Sequence, residues 1–177
     1  MAEFEASDKG DYDSEFKRIA LLATEGDPEA QVRLGELYFR GHGVSRSPAD
    51  ATNWFKRAAE QGNASAQHIL GLAYQEGKWQ EENFEEALKW ELRAARQGYH
   101  VAQYYLGEMY WKGIGVEPNA LMAYVWVSLA AEQGMSVAET ARQVIRERLG
   151  FFAARKAKKL LKEYREGILS LKKDHTD

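Results

Sequence analysis

"AAEQGNASAQHILG" at residues 58–71 returns as "AARQGYHVAQYYLG" at residues 94–107. The two phrases start 36 residues apart, and that spacing runs through most of the chain. Gly26, Gly62, Gly98 and Gly134 share one phase, and Ala30, Ala66, Ala102 and Ala138 share another. Leu34-Gly35, Leu70-Gly71 and Leu106-Gly107 follow, then Tyr38, Tyr74 and Tyr110, then Gly41, Gly77 and Gly113. Later in each unit come Ala51, Ala87 and Ala123, Trp54, Trp90 and Trp126, and the pairs Ala58-Ala59, Ala94-Ala95 and Ala130-Ala131. Ten positions hold register across three copies without a gap. A period of this length means a stacked array of helical units.

Each copy carries two helical patterns. Ala30, Leu34 and Tyr38 recur at i, i+4 and i+8, and Ala51, Trp54 and Ala58 at i, i+3 and i+7, each set lying on one helix face. Gly62 can end a helix in the left-handed conformation, and Asn63 can cap the next. In the preceding copy Asp27-Pro28 does the same, with proline in the first turn. Each unit therefore reads as an antiparallel helix pair. Gly35, Gly71 and Gly107 sit inside a helix, where glycine costs about 1 kcal/mol relative to alanine. That cost is reasonable where a neighbouring helix passes too close for a side chain. One pair cannot bury its apolar stripe alone; stacked pairs can.

"AQVRLGELYFRGHGV…ADATNWFKRAAEQG" and "AQYYLGEMYWKGIGV…ALMAYVWVSLAAEQG" resemble the Sel-one-like repeat (SLR) family, relatives of tetratricopeptide repeats. The resemblance covers roughly residues 10–142. It implies an all-α, right-handed α/α solenoid serving as a non-catalytic protein–protein scaffold or adaptor. The expected organisation is a flexible stretch over 1–10, a leading half-repeat over 11–26, and repeats over 27–62, 63–98 and 99–134. Two amphipathic capping helices over 135–173 and a frayed 174–177 complete it. In the cap, Arg142-Gln143 replaces Leu-Gly, so no further unit can dock closely. Ala153, Ala157, Leu160, Leu161, Tyr164, Ile168 and Leu171 share one side of its last helix. The middle copy departs from its neighbours at Gly77–Gln80, "GKWQ", where Trp79 replaces a loop glycine.

The chain has 177 residues, 45% hydrophobic and 29% charged, as suits one globular domain. No apolar run is long enough to span a bilayer. "MAEFEASDKG" is acidic and lacks an apolar centre, so it is no secretory signal, and the cytoplasm is the compartment expected. A previously removed signal peptide would shift that expectation to the periplasm or outside. There are no cysteines, hence no disulfide framework, thiolate site or thiol nucleophile. The four histidines include no H-E-x-x-H, so neither metal nor other cofactor is expected. S-x-x-K occurs at Ser14–Lys17 and Ser170–Lys173 without S-D-N or K-T-G, and no enzymatic constellation emerges. Glu81, Glu82, Glu85 and Glu86 read as a solvated helix start favoured by the helix dipole.

By the resemblance, function belongs on a concave face made by the first helix of each unit. The positions that fall there are Val32, Glu36, Phe39 and Arg40; His68, Leu72, Gln75 and Glu76; and Tyr104, Glu108, Trp111 and Lys112. They vary while the packing residues stay fixed, as a scaffold with a specialised surface requires. Phe39 and Trp111 should point away from the stack as interface anchors, the plainer reading being that each leans on a loop of the next unit. The mixed charge suits a peptide or protein partner. His68 is expected to be solvated.

Charge is lopsided. Residues 142–173 hold eleven Lys/Arg against three Glu, whereas residues 1–141 hold 13 basic against 22 acidic residues. The basic end could bind a polyanion, nucleic acid or anionic membrane. It could also favour self-association with the acidic body of a second copy. Nothing aromatic is expected on its polar face, and the acidic body argues against nucleic acid.

Overall fold

The structure, a computed structural model, describes residues 14–77 and 81–174, with side chains to residue 168. Among them are nine helices and no strand. After α1 (residues 14–24) come α2 (Pro28–Arg40), α3 (Pro48–Glu60), α4 (Ala64–Glu76), α5 (Phe84–Arg96), α6 (His100–Lys112), α7 (Ala120–Glu132), α8 (Ser136–Arg148) and α9 (Phe151–Asp174). The chain is an all-α solenoid.

Seven successive helices are 13 residues long because the punctuation repeats. Asp27 and Asn63 accept from the backbone N–H of Ala30 and Ala66 at 2.7 and 2.9 Å. Ser47, Asn83 and Asn119 cap α3, α5 and α7 in the same way. Gly62 takes φ 96° in the turn after α3, a conformation that costs other residues strain. The stop at Gly62 and the starts at Asp27 and Asn63 fall where the sequence placed them; the caps Ser47, Asn83 and Asn119 come from the structure.

Within each unit the first helix crosses the second at the buried glycine. A Cβ on Gly35 would stand 2.7 Å from Phe55 Cε1, and one on Gly71 2.8 Å from Glu91 Oε1. One on Gly107 would run into Val127 Cγ2 and lie 3.1 Å from the Val127 backbone nitrogen. Phe55, Glu91 and Val127 are themselves equivalent residues, so the three crossings share one geometry with different partners.

A second repeated device joins one unit to the next. The buried Gln31, Gln67 and Gln103 donate from Nε2 to the carbonyls of Ala23, Ala59 and Ala95, at 3.2, 3.1 and 3.2 Å. Their Oε1 atoms accept from Gln61, Gln97 and Gln133 at 2.7, 2.8 and 2.8 Å. Each glutamine thus adds a second donor to a helix-end carbonyl that already accepts from the backbone N–H of Gly26, Gly62 or Gly98. The ladder stops at α8, where Glu139 occupies the equivalent position and pairs with Arg142 instead.

The two capping helices do not pack on each other as the repeat hairpins do; both seat on α7. Leu161 and Ile168 of α9 join Trp126, Leu129, Ala94 and Ala95 in one apolar cluster. Tyr164 meets the Trp126 ring edge-on at 5.1 Å, and Arg165 makes a two-pronged ion pair with Glu132, one arm at 2.9 Å. Phe151 and Phe152 remain outside, so the polar face of α9 does carry aromatics. Trp79 lies outside the described residues, as do the flexible stretch expected over 1–10, Leu171 as a side chain, and residues 175–177.

Candidate partner-binding site

The twelve positions singled out on α2, α4 and α6 form four rows of equivalent residues, and burial separates them. Val32, His68 and Tyr104 make the first row. Val32 is 9% exposed and His68 7%, and Tyr104 is half-buried. This row faces the second helix of its own unit, so Val32 joins the Phe55 cluster and Tyr104 the Val127 cluster. The expectation of an open Val32 and a solvated His68 is therefore corrected: the row is core.

In the middle unit that core contact is polar. His68 Nδ1 lies 2.8 and 3.0 Å from the two carboxylate oxygens of Glu91, which is 1% exposed. Tyr99 and Tyr105 close over the imidazole, with ring centroids at 5.7 and 5.0 Å. Burial pushes the Glu91 carboxyl above its ordinary range, while the His68 hydrogen bond works the other way.

The other three rows reach the surface. Glu36, Leu72 and Glu108 are half-buried; Phe39 is 40% exposed, with Gln75 and Trp111 half-buried; Arg40, Glu76 and Lys112 are exposed. Arg33 holds Glu36 at 3.1 Å and Glu15 of α1 at 2.9 Å, and Lys112 pairs with Glu108. Phe39 carries the guanidinium of Arg46 5.7 Å from its ring centroid, and the Phe39 carbonyl accepts from Arg46 Nε at 3.0 Å. Trp111 packs against the α7–α8 core, with Arg148 stacked 5.3 Å from its ring centroid. Trp111 thus leans on the unit that follows, whereas Phe39 presents more of its ring to solvent. The result is an apolar and mixed-charge face spanning three units.

Sequence reasoning missed the six ladder glutamines and the His68–Glu91 pair. The glutamines hold the 36-residue register as faithfully as the alanines beside them. Glu91 was legible as a carboxylate at a position filled by Phe55 and Val127 in the flanking copies.

The Sel1 repeat profile matches residues 28–63, 64–99 and 100–135. No curated protein matches the chain. Among solved structures, a protective antigen present in uropathogenic Escherichia coli strains and displaying an SLR fold is 32% identical, with a TM-score of 0.77. The match covers 89% of the present chain and 35% of that one, so the present chain spans about a third of that protein's length. A Sel1 repeat protein from Oxalobacter formigenes is 36% identical, with a TM-score of 0.70 over 73% of this chain and 97% of that one. Three contiguous matched units on this shared fold make the chain a member of the Sel1 repeat family, whose proteins generally act as non-catalytic protein-interaction scaffolds.

Proposed function

We propose that the chain is an adaptor that holds a peptide segment or partner protein along the face built by α2, α4 and α6. One observation carries this reading: residues that differ between units lie at the same exposed phase of three successive first helices. The close-packing positions Ala30, Leu34, Gly35, Ala51, Ala58 and Ala59 keep the same residue in all three units. Phe39 and Leu72 supply apolar contact, Gln75 hydrogen-bonding capacity, and Arg40, Glu76 and Lys112 a charged rim, the usual composition of a protein-binding patch. The His68 row beneath fixes the helices and does not itself touch the partner.

A photo-crosslinking residue at Gln75 tests the proposal against the same residue at the exposed Lys89 of α5. Specific adducts from Gln75, weakened at least tenfold by F39A/L72A with helicity unchanged, support it. Equal labelling from both positions, or adducts indifferent to F39A/L72A, removes it.

A further inference from the structure

The C-terminal cap presents a surface that the repeat architecture does not use. Phe151 and Phe152 open α9 with exposures of 79% and 85%, their rings edge-to-face at 5.6 Å. Residues 151–162 contain five Lys/Arg and no acid. Helical spacing puts Phe151, Arg155, Lys158 and Lys162 in one outward stripe, since Ala157 and Leu161 face the core. Arg146 at the end of α8 joins Phe151, Arg155 and Lys158 around a shallow recess of about 290 Å³ floored by Tyr124.

We infer that this end of the molecule docks on an anionic lipid surface, with Phe151 and Phe152 entering the headgroup boundary and the flanking cations meeting lipid phosphates. Charge complementarity selects the occupant. The net positive charge is confined to one end of a chain whose remainder is net acidic, so a planar anionic surface can meet the cap while the body stays clear. A polyanionic strand long enough to run past the cap would meet the acidic repeats. A second copy of the chain is disfavoured as well: Gln143 stands where Gly35, Gly71 and Gly107 permit a close helix crossing, so another copy's α1 cannot seat as the missing partner of α8. The two rings project together from a helix end beside that shallow recess. That arrangement suits the combination of apolar insertion and electrostatic attraction that holds amphipathic helices at membranes. This inference is independent of the face built by α2, α4 and α6.

The experiment is co-sedimentation of the full chain with phosphatidylcholine vesicles containing about one third phosphatidylglycerol, against pure phosphatidylcholine. Binding to the anionic vesicles alone, weakening with salt, is expected. F151S/F152S should lower the partition coefficient at least tenfold, and R155E/K158E should abolish binding. Both variants alter exposed residues, and unchanged burial of Trp126 by fluorescence checks the fold. No binding to anionic vesicles, binding indifferent to F151S/F152S, or pelleting without vesicles overturns the inference. Tighter binding of soluble polyglutamate or of single-stranded DNA than of vesicles overturns it too, and assigns the surface to a soluble acidic partner.

Discussion

At position 91 a carboxylate stands where the flanking units hold Phe55 and Val127, and across from it His68 replaces Val32 and Tyr104. A buried polar pair is weak evidence of stability, because both partners lose hydration, yet removing one partner strands the other. H68A should therefore destabilise the chain by about 3–5 kcal/mol, whereas H68V/E91F, which installs the residues of the first unit, should be neutral or stabilising by about 1–4 kcal/mol. Urea unfolding followed by circular dichroism separates the two. The pH dependence has a definite sign. Folding raises the Glu91 carboxyl above its ordinary value of 4.5, so the native chain favours the protonated form more than the unfolded chain does. The resulting penalty is absent below 4.5, grows as pH rises through the window between the unfolded and folded values, and is complete above it. E91Q lacks that penalty and still offers His68 an acceptor. Its unfolding midpoint should gain on the wild type as pH is raised from acid toward neutrality, in parallel thermal melts. A constant difference would mean that Glu91 does not titrate differently on folding.

Between elements, the close crossings are what the repeated glycines specify, and they are not equally forgiving. An alanine at Gly35 meets the ring of Phe55, and at Gly71 the side chain of Glu91, but at Gly107 it meets a β-branched Val127 and backbone besides. Valine has little rotamer freedom with which to yield. G107A should therefore cost about 1–3 kcal/mol net of any gain in helix propensity, and more than G35A, by chemical denaturation. The tryptophans mark another difference between units. Arg57 and Arg93 lie over Trp54 and Trp90, 4.7 and 4.4 Å from the ring centroids. At the equivalent place the third unit has Leu129, and α9 buries Trp126 completely. Truncation after Gly150 should shift tryptophan emission to longer wavelength and lower the unfolding midpoint. The sequence announced the crossings because a glycine inside a helix weakens it unless a neighbouring helix needs the space. It did not announce which helix α9 would cover: an amphipathic stripe records that a face is buried, not against what.

Across the whole molecule, legibility followed repetition. The small and apolar residues that recur every 36 residues could be read as architecture, as could the caps at Asp27 and Asn63. The glutamine ladder recurs too, but polar side chains on an apolar phase read as core only once their bonds to the carbonyls of Ala23, Ala59 and Ala95 are seen. The surface rows were harder because first-helix positions three and four residues apart differ in burial by how the second helix crosses, and that crossing is not in the pattern. Val32 and His68 therefore fell on the wrong side of the line. The ladder also has a consequence for cooperativity. In a stacked array each unit touches only its neighbours, so stability is close to a sum of units and interfaces. The C-terminal half is additionally tied together by α9, which seats on α7 within an apolar cluster that also holds Ala94 and Ala95 of α5. Q67A removes the bond to the Ala59 carbonyl at the α3–α4 junction and the acceptor for Gln97, a loss of about 1–3 kcal/mol. Hydrogen exchange at low denaturant should then show α1 to α3 losing protection before α6 to α9, which keep their own glutamine bonds and the clamp of α9. Simultaneous loss along the chain would mean that the clusters behave as one cooperative core, and that weakening a single junction cannot uncouple the two ends.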